Sequence, residues 1–185
     1  MGITISLEKF IDEANFLDTI ISNWRDFTMY SPMYSGGREY LEEVELKYND
    51  IVQLLGAQNT INREGIDKGV DTDDLAWRLG GYATAMGFLA MARNYTALGW
   101  ASAILAVLAE MAFGGKSLLS KYLDNGNRYL IELLTFMDKN KQYDIIRVKL
   151  PFLQYYHVDG DIRFVIGQGQ VTGVHYRGGD WATDQ

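Results

Sequence analysis

Ile145-Ile146-Arg147-Val148-Lys149-Leu150, then Pro151, then Phe152-Leu153-Gln154-Tyr155-Tyr156-His157-Val158 is the stretch on which the fold turns. β-Branched and aromatic residues dominate it, and apolar positions no longer recur every three or four residues, so the chain changes here from helix to strand. Ile162 to Ile166 and Val171 to Tyr176 read as further strands. Asp159-Gly160 is a favoured two-residue hairpin turn, with Gln168-Gly169 as the next. Pro151 has no N–H for a ladder, so it ends one strand or marks an edge. Residues 141–185 are therefore expected to form a three- or four-stranded antiparallel β-meander.

Upstream of residue 141 the pattern is helical. Leu7, Phe10, Ile11, Ala14, Leu17, Ile20, Ile21, Trp24 and Phe27 fall on one stripe of a long helix, with Ser6 as its N-cap. Ser31-Pro32 through Gly36-Gly37 breaks it, and Tyr40, Leu41, Val44, Tyr48, Ile51, Val52 and Leu55 predict a second helix that ends at Gly56. Between Gly56 and Gly69 apolar residues thin out, which predicts a solvent-exposed connection. Thr72 is expected to cap a third helix running through Leu75, Trp77, Leu79, Tyr82, Met86 and Leu89 to about Arg93, with Asp73 and Asp74 facing the positive end of its dipole.

A fourth helix is expected from about Leu98 to Phe113. Gly80, Gly81, Gly87 and a run of alanines make helices three and four rich in small residues, which implies close packing or a local break. Gly114-Gly115 and then Asn125-Gly126 interrupt a helical pattern that continues to Met137. The expected fold is one α+β domain over residues 1–185: an N-terminal bundle of four to six helices (1–140), followed by the meander (141–185).

The chain has no cysteine, so disulfides, thiolate zinc sites and cysteine nucleophiles are excluded. With 48% hydrophobic and 22% charged residues it is an ordinary globular sequence, not a disordered one. The formal net charge of −7 repels nucleic-acid phosphate over most of the surface. That charge is uneven: residues 1–138 hold 11 Lys and Arg against 19 Asp and Glu, while residues 139–185 hold 6 against 5. Met1-Gly2 passes at once into a charged amphipathic stretch without signal-peptide character, so a cytoplasmic location is expected. Met1-Gly2 with Ser6 also matches the short myristoylation pattern, which needs a eukaryotic transferase.

Several patterns resemble chemistry and fail on inspection. Gly114-Gly115-Lys116-Ser117 ends like a P-loop, but Glu110 stands where the first glycine belongs and an Ala-rich helix precedes it instead of a strand. Asp71, Asp73 and Asp74 begin like an EF-hand loop, yet Ala76 replaces its glycine and Tyr82 its closing acid. The uncharged runs on either side of Arg93 are shorter than the ~20 apolar residues of a membrane span. Asn94-Tyr95-Thr96 is a formal glycosylation sequon. No metal site and no cofactor is expected.

Two-residue turns would pair His157 with Ile162 and Ile162 with His175. Both histidines would then share the apolar face of the sheet, too far apart to grip one metal directly. The opposite face would gather Gln154, Tyr156, Arg163, Thr172 and Tyr176, with Arg147 and Lys149 from a neighbouring strand. Cations interleaved with aromatics on a sheet suit base stacking and phosphate contact.

Two functional readings follow. The leading one is a non-enzymatic protein-binding or assembly protein whose acidic helical surface meets a protein partner or copies of itself; nucleic acid and membrane are disfavoured. The alternative is a nucleic-acid-binding or metal-independent ribonuclease-like module on the terminal sheet, with His175 as weak catalytic candidate beside Arg163, Thr172 and Tyr176. His175 and the other three fall on opposite faces in this register, unless a β-bulge at Gly173 swaps them.

Overall fold

The computed structural model of the chain describes residues 37–90, 96–111, 114–156 and 161–183. The first expected helix with its Ser6 cap, the break at Ser31-Pro32, Arg93, the sequon residues Asn94 and Tyr95, His157 and the Asp159-Gly160 turn lie outside the described residues.

Gly37–Lys47 is a strand, β1, where the apolar spacing predicts the start of a helix. Tyr40, Glu42, Val44 and Leu46 are the more buried positions, alternating with exposed Leu41, Glu43, Glu45 and Lys47. The fully buried Leu46 fits this period of two and has no place in the helical stripe. β1 pairs antiparallel along all its residues with Tyr143–Tyr155, β2, from Gly37 opposite Tyr155 to Lys47 opposite Ile145. A partner about a hundred residues away decides its conformation, as strand context often does. The expected order of a helical bundle followed by a sheet is therefore wrong. A strand comes first, five helices follow among the described residues, and the C-terminal strands complete an antiparallel sheet.

Helix α1, Tyr48–Thr60, begins where Asp50 accepts a hydrogen bond from the Lys47 backbone N–H (2.9 Å). It does not end at Gly56. It runs on with π-type winding through Ile61–Lys68 and stops at Gly69, which adopts φ 63°. The predicted exposed connection is thus helical, and Ala57, Gln58, Ile61, Asn62, Glu64 and Gly65 in it are buried. Amide side chains take the inward positions there, which is why the apolar pattern fades.

Asp71, one residue earlier than expected, caps α2 (Thr72–Leu79) by accepting from the Asp74 N–H (2.9 Å). Gly80-Gly81 ends that helix, and a short α3 follows over Ala83–Leu89. The Thr96 hydroxyl caps α4, Ala97–Glu110, through the Gly99 N–H (3.1 Å). Helix α5 spans Gly115–Lys139 without a break at Asn125-Gly126. A Cβ at Gly126 would lie 2.0 Å from the Val165 carbonyl oxygen, so the glycine permits close contact with the sheet instead of interrupting the helix.

The remaining strands are β3 (Ile162–Val165), β4 (Gln170–Tyr176) and β5 (Trp181–Thr183). They do not form a meander. β3 pairs with residues 152–155 of β2 and β4 with residues 143–149, so both occupy the same edge of β2 while β1 holds the other, and β5 adds to β4. β2 runs straight through Pro151, whose carbonyl accepts from the Ile166 N–H (3.1 Å) where that edge passes from β4 to β3. The absent proline N–H thus falls at a junction in the ladder.

Val44, Leu46, Ile146, Val148, Leu150 and Phe152 share the inward face and join one core with Ile51, Leu54, Ile61, Leu75, Trp100, Ile104, Leu123 and Leu130. Among the described residues no helix is long and apolar enough to cross a membrane. Because the Gly126 contact is with backbone, which cannot swing aside, Gly126→Ala is expected to destabilise the fold by about 1–3 kcal/mol. Denaturant unfolding checks this against Asn125→Ala on the same helix.

Candidate functional site

Cross-strand partners share a face, so the outer surface of the sheet sets Glu45 beside Arg147 and Glu43 beside Lys149. The Arg147 guanidinium reaches Glu45 at 2.7 Å and Glu43 at 3.9 Å, and lies 4.1 Å from the centre of the Trp181 ring. Between Gly173 and Val171 the register of β4 against β2 shifts, leaving Thr172 as an extra residue opposite Arg147. Its hydroxyl donates to Glu43 at 2.9 Å. A second shift, between Tyr143 and Ile145, brings Asp144 to 2.6 Å from Nδ1 of His175. The His175 ring meets Trp181 edge-on at 5.3 Å. The hydrogen bond with His175 is the largest of the effects that hold the Asp144 carboxyl below its ordinary value, against a partial opposing effect of desolvation.

This register overturns two expected pairings. Tyr155, not His157, faces Ile162, and His175 faces Ile145 and Trp181 instead of Ile162. Arg147, Thr172 and His175 consequently share the outer surface. Lys149 lies there too, exposed between Glu43 and Gln170. Tyr176 is partly exposed and sets its ring 4.9 Å from that of Tyr143. Tyr156 is exposed just beyond the end of β2.

Arg163 and Gln154 belong elsewhere. They are cross-strand partners, both buried on the inward side with Phe152. Arg163 donates to the Phe88 carbonyl, the Tyr40 hydroxyl (3.0 Å) and Glu42, and its guanidinium lies 4.3 Å from the Phe152 ring centre. Gln154 donates to Asp161 at 2.9 Å. Arg163 therefore joins β1, β2, β3 and α3 from inside, and the expected seven-residue binding face is divided between the two sides of the sheet. Among the described residues no three His, Cys, Asp or Glu side chains are grouped to hold a metal ion.

A second surface lay hidden in the sequence. Trp77 on α2 is 81% exposed, the most exposed large hydrophobic residue described. Reading it as part of one stripe with Leu75 and Leu79 conceals this, because those two are four residues apart and buried, and a residue midway between them points to the other side of the helix. Arg78 pairs with the nearly buried Glu64 (3.6 Å), which also holds Lys68 (3.0 Å), so α2 is tied to the π-wound segment below it. Next along the chain Gly80, Gly81, Ala83, Thr84 and Gly87 are exposed, and no charged residue occurs from Leu79 to Ala92. Leu98, 51% exposed, opens α4, the helix that packs on α2.

Comparison with protein-family models, with curated proteins and with solved structures found no match.

Removing the Arg163 head leaves the Phe88 carbonyl and Tyr40 hydroxyl without this partner, so Arg163→Met is expected to cost about 1–3 kcal/mol in denaturant unfolding. The figure stays below that of a sealed ion pair because Glu42 is partly exposed and rehydrates. For Asp144, a folded pKa below the unfolded one means that its contribution is present above the unfolded value and is lost as pH falls through the folded one. The melting difference between wild type and Asp144→Asn is therefore expected at neutral pH and should shrink as pH falls below the ordinary 3.8.

Proposed function

We propose that this chain is a non-enzymatic protein-binding or assembly protein whose contact surface is centred on Trp77. The observation that carries this reading is the 81% exposure of that indole on a helix held in place by the Glu64–Arg78 pair. Tryptophan and arginine are the side chains most enriched at the energetic centres of interfaces. The uncharged, small-residue surface that follows it in the chain is cheap to desolvate.

The contact surface is helical, with exposed Asp73 and Asp74 one turn before Trp77 on the same helix. Residues 48–139 carry ten Asp and Glu against eight Lys and Arg, whereas β1 alone carries Glu39, Glu42, Glu43 and Glu45.

The ribonuclease-like reading retains one supporting observation: Arg147, Thr172 and the His175–Asp144 pair lie on one face, the bulge falling at Thr172, one residue before Gly173. Against it, Glu45 and Glu43 already occupy the Arg147 guanidinium, Glu43 takes the Thr172 hydroxyl, and Arg163 is inside. A phosphate would have to displace two carboxylates from a chain of net charge −7.

The test is site-specific photo-crosslinking in the source cells, with a photoreactive phenylalanine analogue at the exposed Thr84. Ultraviolet light is expected to give discrete adducts of protein mass that disappear in a Trp77→Ser background. Absence of any protein adduct, or adducts indifferent to Trp77→Ser, overturns the reading.

A further inference from the structure

We infer that two copies of this chain join edge to edge, β1 of one pairing antiparallel with the partner's β1 about a two-fold axis beside Tyr40. This surface is separate from the Trp77 helix, and the inference stands without the reading above.

Its first support is the edge itself. β1 ends the strand order, and among the described residues only β2 pairs with it, so its other edge presents a row of backbone N–H and C=O groups. Only an extended segment can bond such a row along its length. Edge strands are commonly blunted by shortness, proline, a bulge or charge. β1 has eleven residues, no proline and an unbroken register with β2, so charge is the one such device it carries.

The second support is the pattern of that charge. Glu43 and Glu45 face Lys149 and Arg147 on β2, whereas Arg38, Glu39 and Glu42 face the neutral Gln154, Leu153 and Leu150. Between two chains of net charge −7 a contact survives only where it adds no further repulsion. A two-fold axis perpendicular to the sheet sets residues of the same face opposite one another. With the axis beside Tyr40, Arg38 lies opposite the partner's Glu42, and Glu42 opposite the partner's Arg38. Moving the axis back to Arg38 or Glu39, or forward to any residue from Leu41 to Glu45, sets like charges directly against each other. Beyond Glu45 hardly any of the strand is left to pair. Glu42 serves both roles, because a carboxylate that holds Arg163 on Oε2 can receive Arg38 of the partner subunit on Oε1.

The third support is Leu41, 59% exposed on the outer face. In this register it lies opposite the partner's Glu39, whose methylene stem covers it while the carboxylate stays in water.

The test is sedimentation equilibrium of the purified full chain from about 1 to 100 µM, where a mass twice the 21.0 kDa of one chain is expected. Leu41→Glu sets a second carboxylate against the partner's Glu39 and should weaken the dimer about tenfold, whereas Leu41→Lys should strengthen it. Both changes fall at an exposed position and should leave the circular dichroism spectrum unchanged. Trp77→Ser should leave the mass doubled. Because the chain has no cysteine, register can be read by oxidation. An equimolar mixture of Glu39→Cys and Leu41→Cys should give disulfide-linked dimers, and either variant alone should not, since like positions lie diagonally, about 7–8 Å apart. A single-chain mass at every concentration overturns the inference. So does a dimer that Leu41→Glu and Leu41→Lys affect alike, a dimer that Trp77→Ser dissolves, or crosslinking of either cysteine variant alone as readily as the mixture.

Discussion

The side-chain amide of Gln58 bonds to the backbone of Val165 in both directions. Its Oε1 accepts from the Val165 N–H at 2.6 Å and its Nε2 donates to the Val165 carbonyl at 3.2 Å, so a helix side chain stands where a strand neighbour would be. β3 is four residues long and pairs with β2 on one side only; on its other side the Gln58 amide and a lone bridge from Ala90 to Ile162 meet its backbone. Each buried backbone group left unpaired there would cost about 1–3 kcal/mol. The arrangement demands that α5 come close as well, and Gly126 allows it. Asn127 accepts from Gln58 (3.0 Å) and donates to Asn59 (2.9 Å), and Asn62 donates to Asp124 (2.8 Å), so polar side chains help to set the register of α5 against α1 and its π-wound continuation, beside the apolar core they share.

Arg163, two residues before Val165, extends this junction to the other edge of the sheet. It draws the Phe88 carbonyl at the end of α3, and Tyr40 and Glu42 of β1, onto one guanidinium. Its five donors suit such a meeting of a carbonyl, a hydroxyl and a carboxylate, which a lysine could not satisfy in the same plane. Since α3 follows α2 after only Gly80, Gly81 and Tyr82, the residue that closes the sheet also helps to set the surface on which Trp77 stands. The two regions are therefore joined energetically, and a change at Arg163 reads first as a change in fold.

What the sequence reveals and what it conceals divides along the range of the forces involved. Local signals are legible: the two strands Ile162 to Ile166 and Val171 to Tyr176, the acids in the first turn of α2 and the mixed α+β character all follow from composition and period. β1 is concealed because Tyr40, Leu41, Val44 and Tyr48 fit a helix by spacing, and only pairing with β2 shows that Val44 and Leu46 define the real period. Residues 57–65 are concealed because polar Gln58, Asn62 and Glu64 are among their inward positions, and the worth of Gln58 depends on a backbone about a hundred residues away. Of the expected binding face, Arg147, Lys149 and Thr172 are placed on the open side, whereas Gln154 and Arg163 are buried on the inward side and Tyr176 packs on Tyr143, which stacks on Phe136 of α5. The two bulges of β4 against β2 change which neighbours share a face, and no turn motif announces them.

The departures from ordinary local rules fall into two groups, and the division bears on function. A buried glutamine, a helical glycine at 126, a proline within a strand and a buried arginine all look costly in isolation, yet each is answered by another residue of the same chain: Val165, Ile166, or the cluster of Phe88, Tyr40 and Glu42. Trp77 and Gly87 look equally costly, yet the indole is 81% exposed and a Cβ at Gly87 would meet nothing within 4 Å, so neither is answered by packing among the described residues. Sequences that fold well tend to be consistent across levels, with unrepaid local choices gathering at functional positions. Two such choices stand on α2 and α3, and the exposed indole at least becomes favourable if another molecule removes it from water.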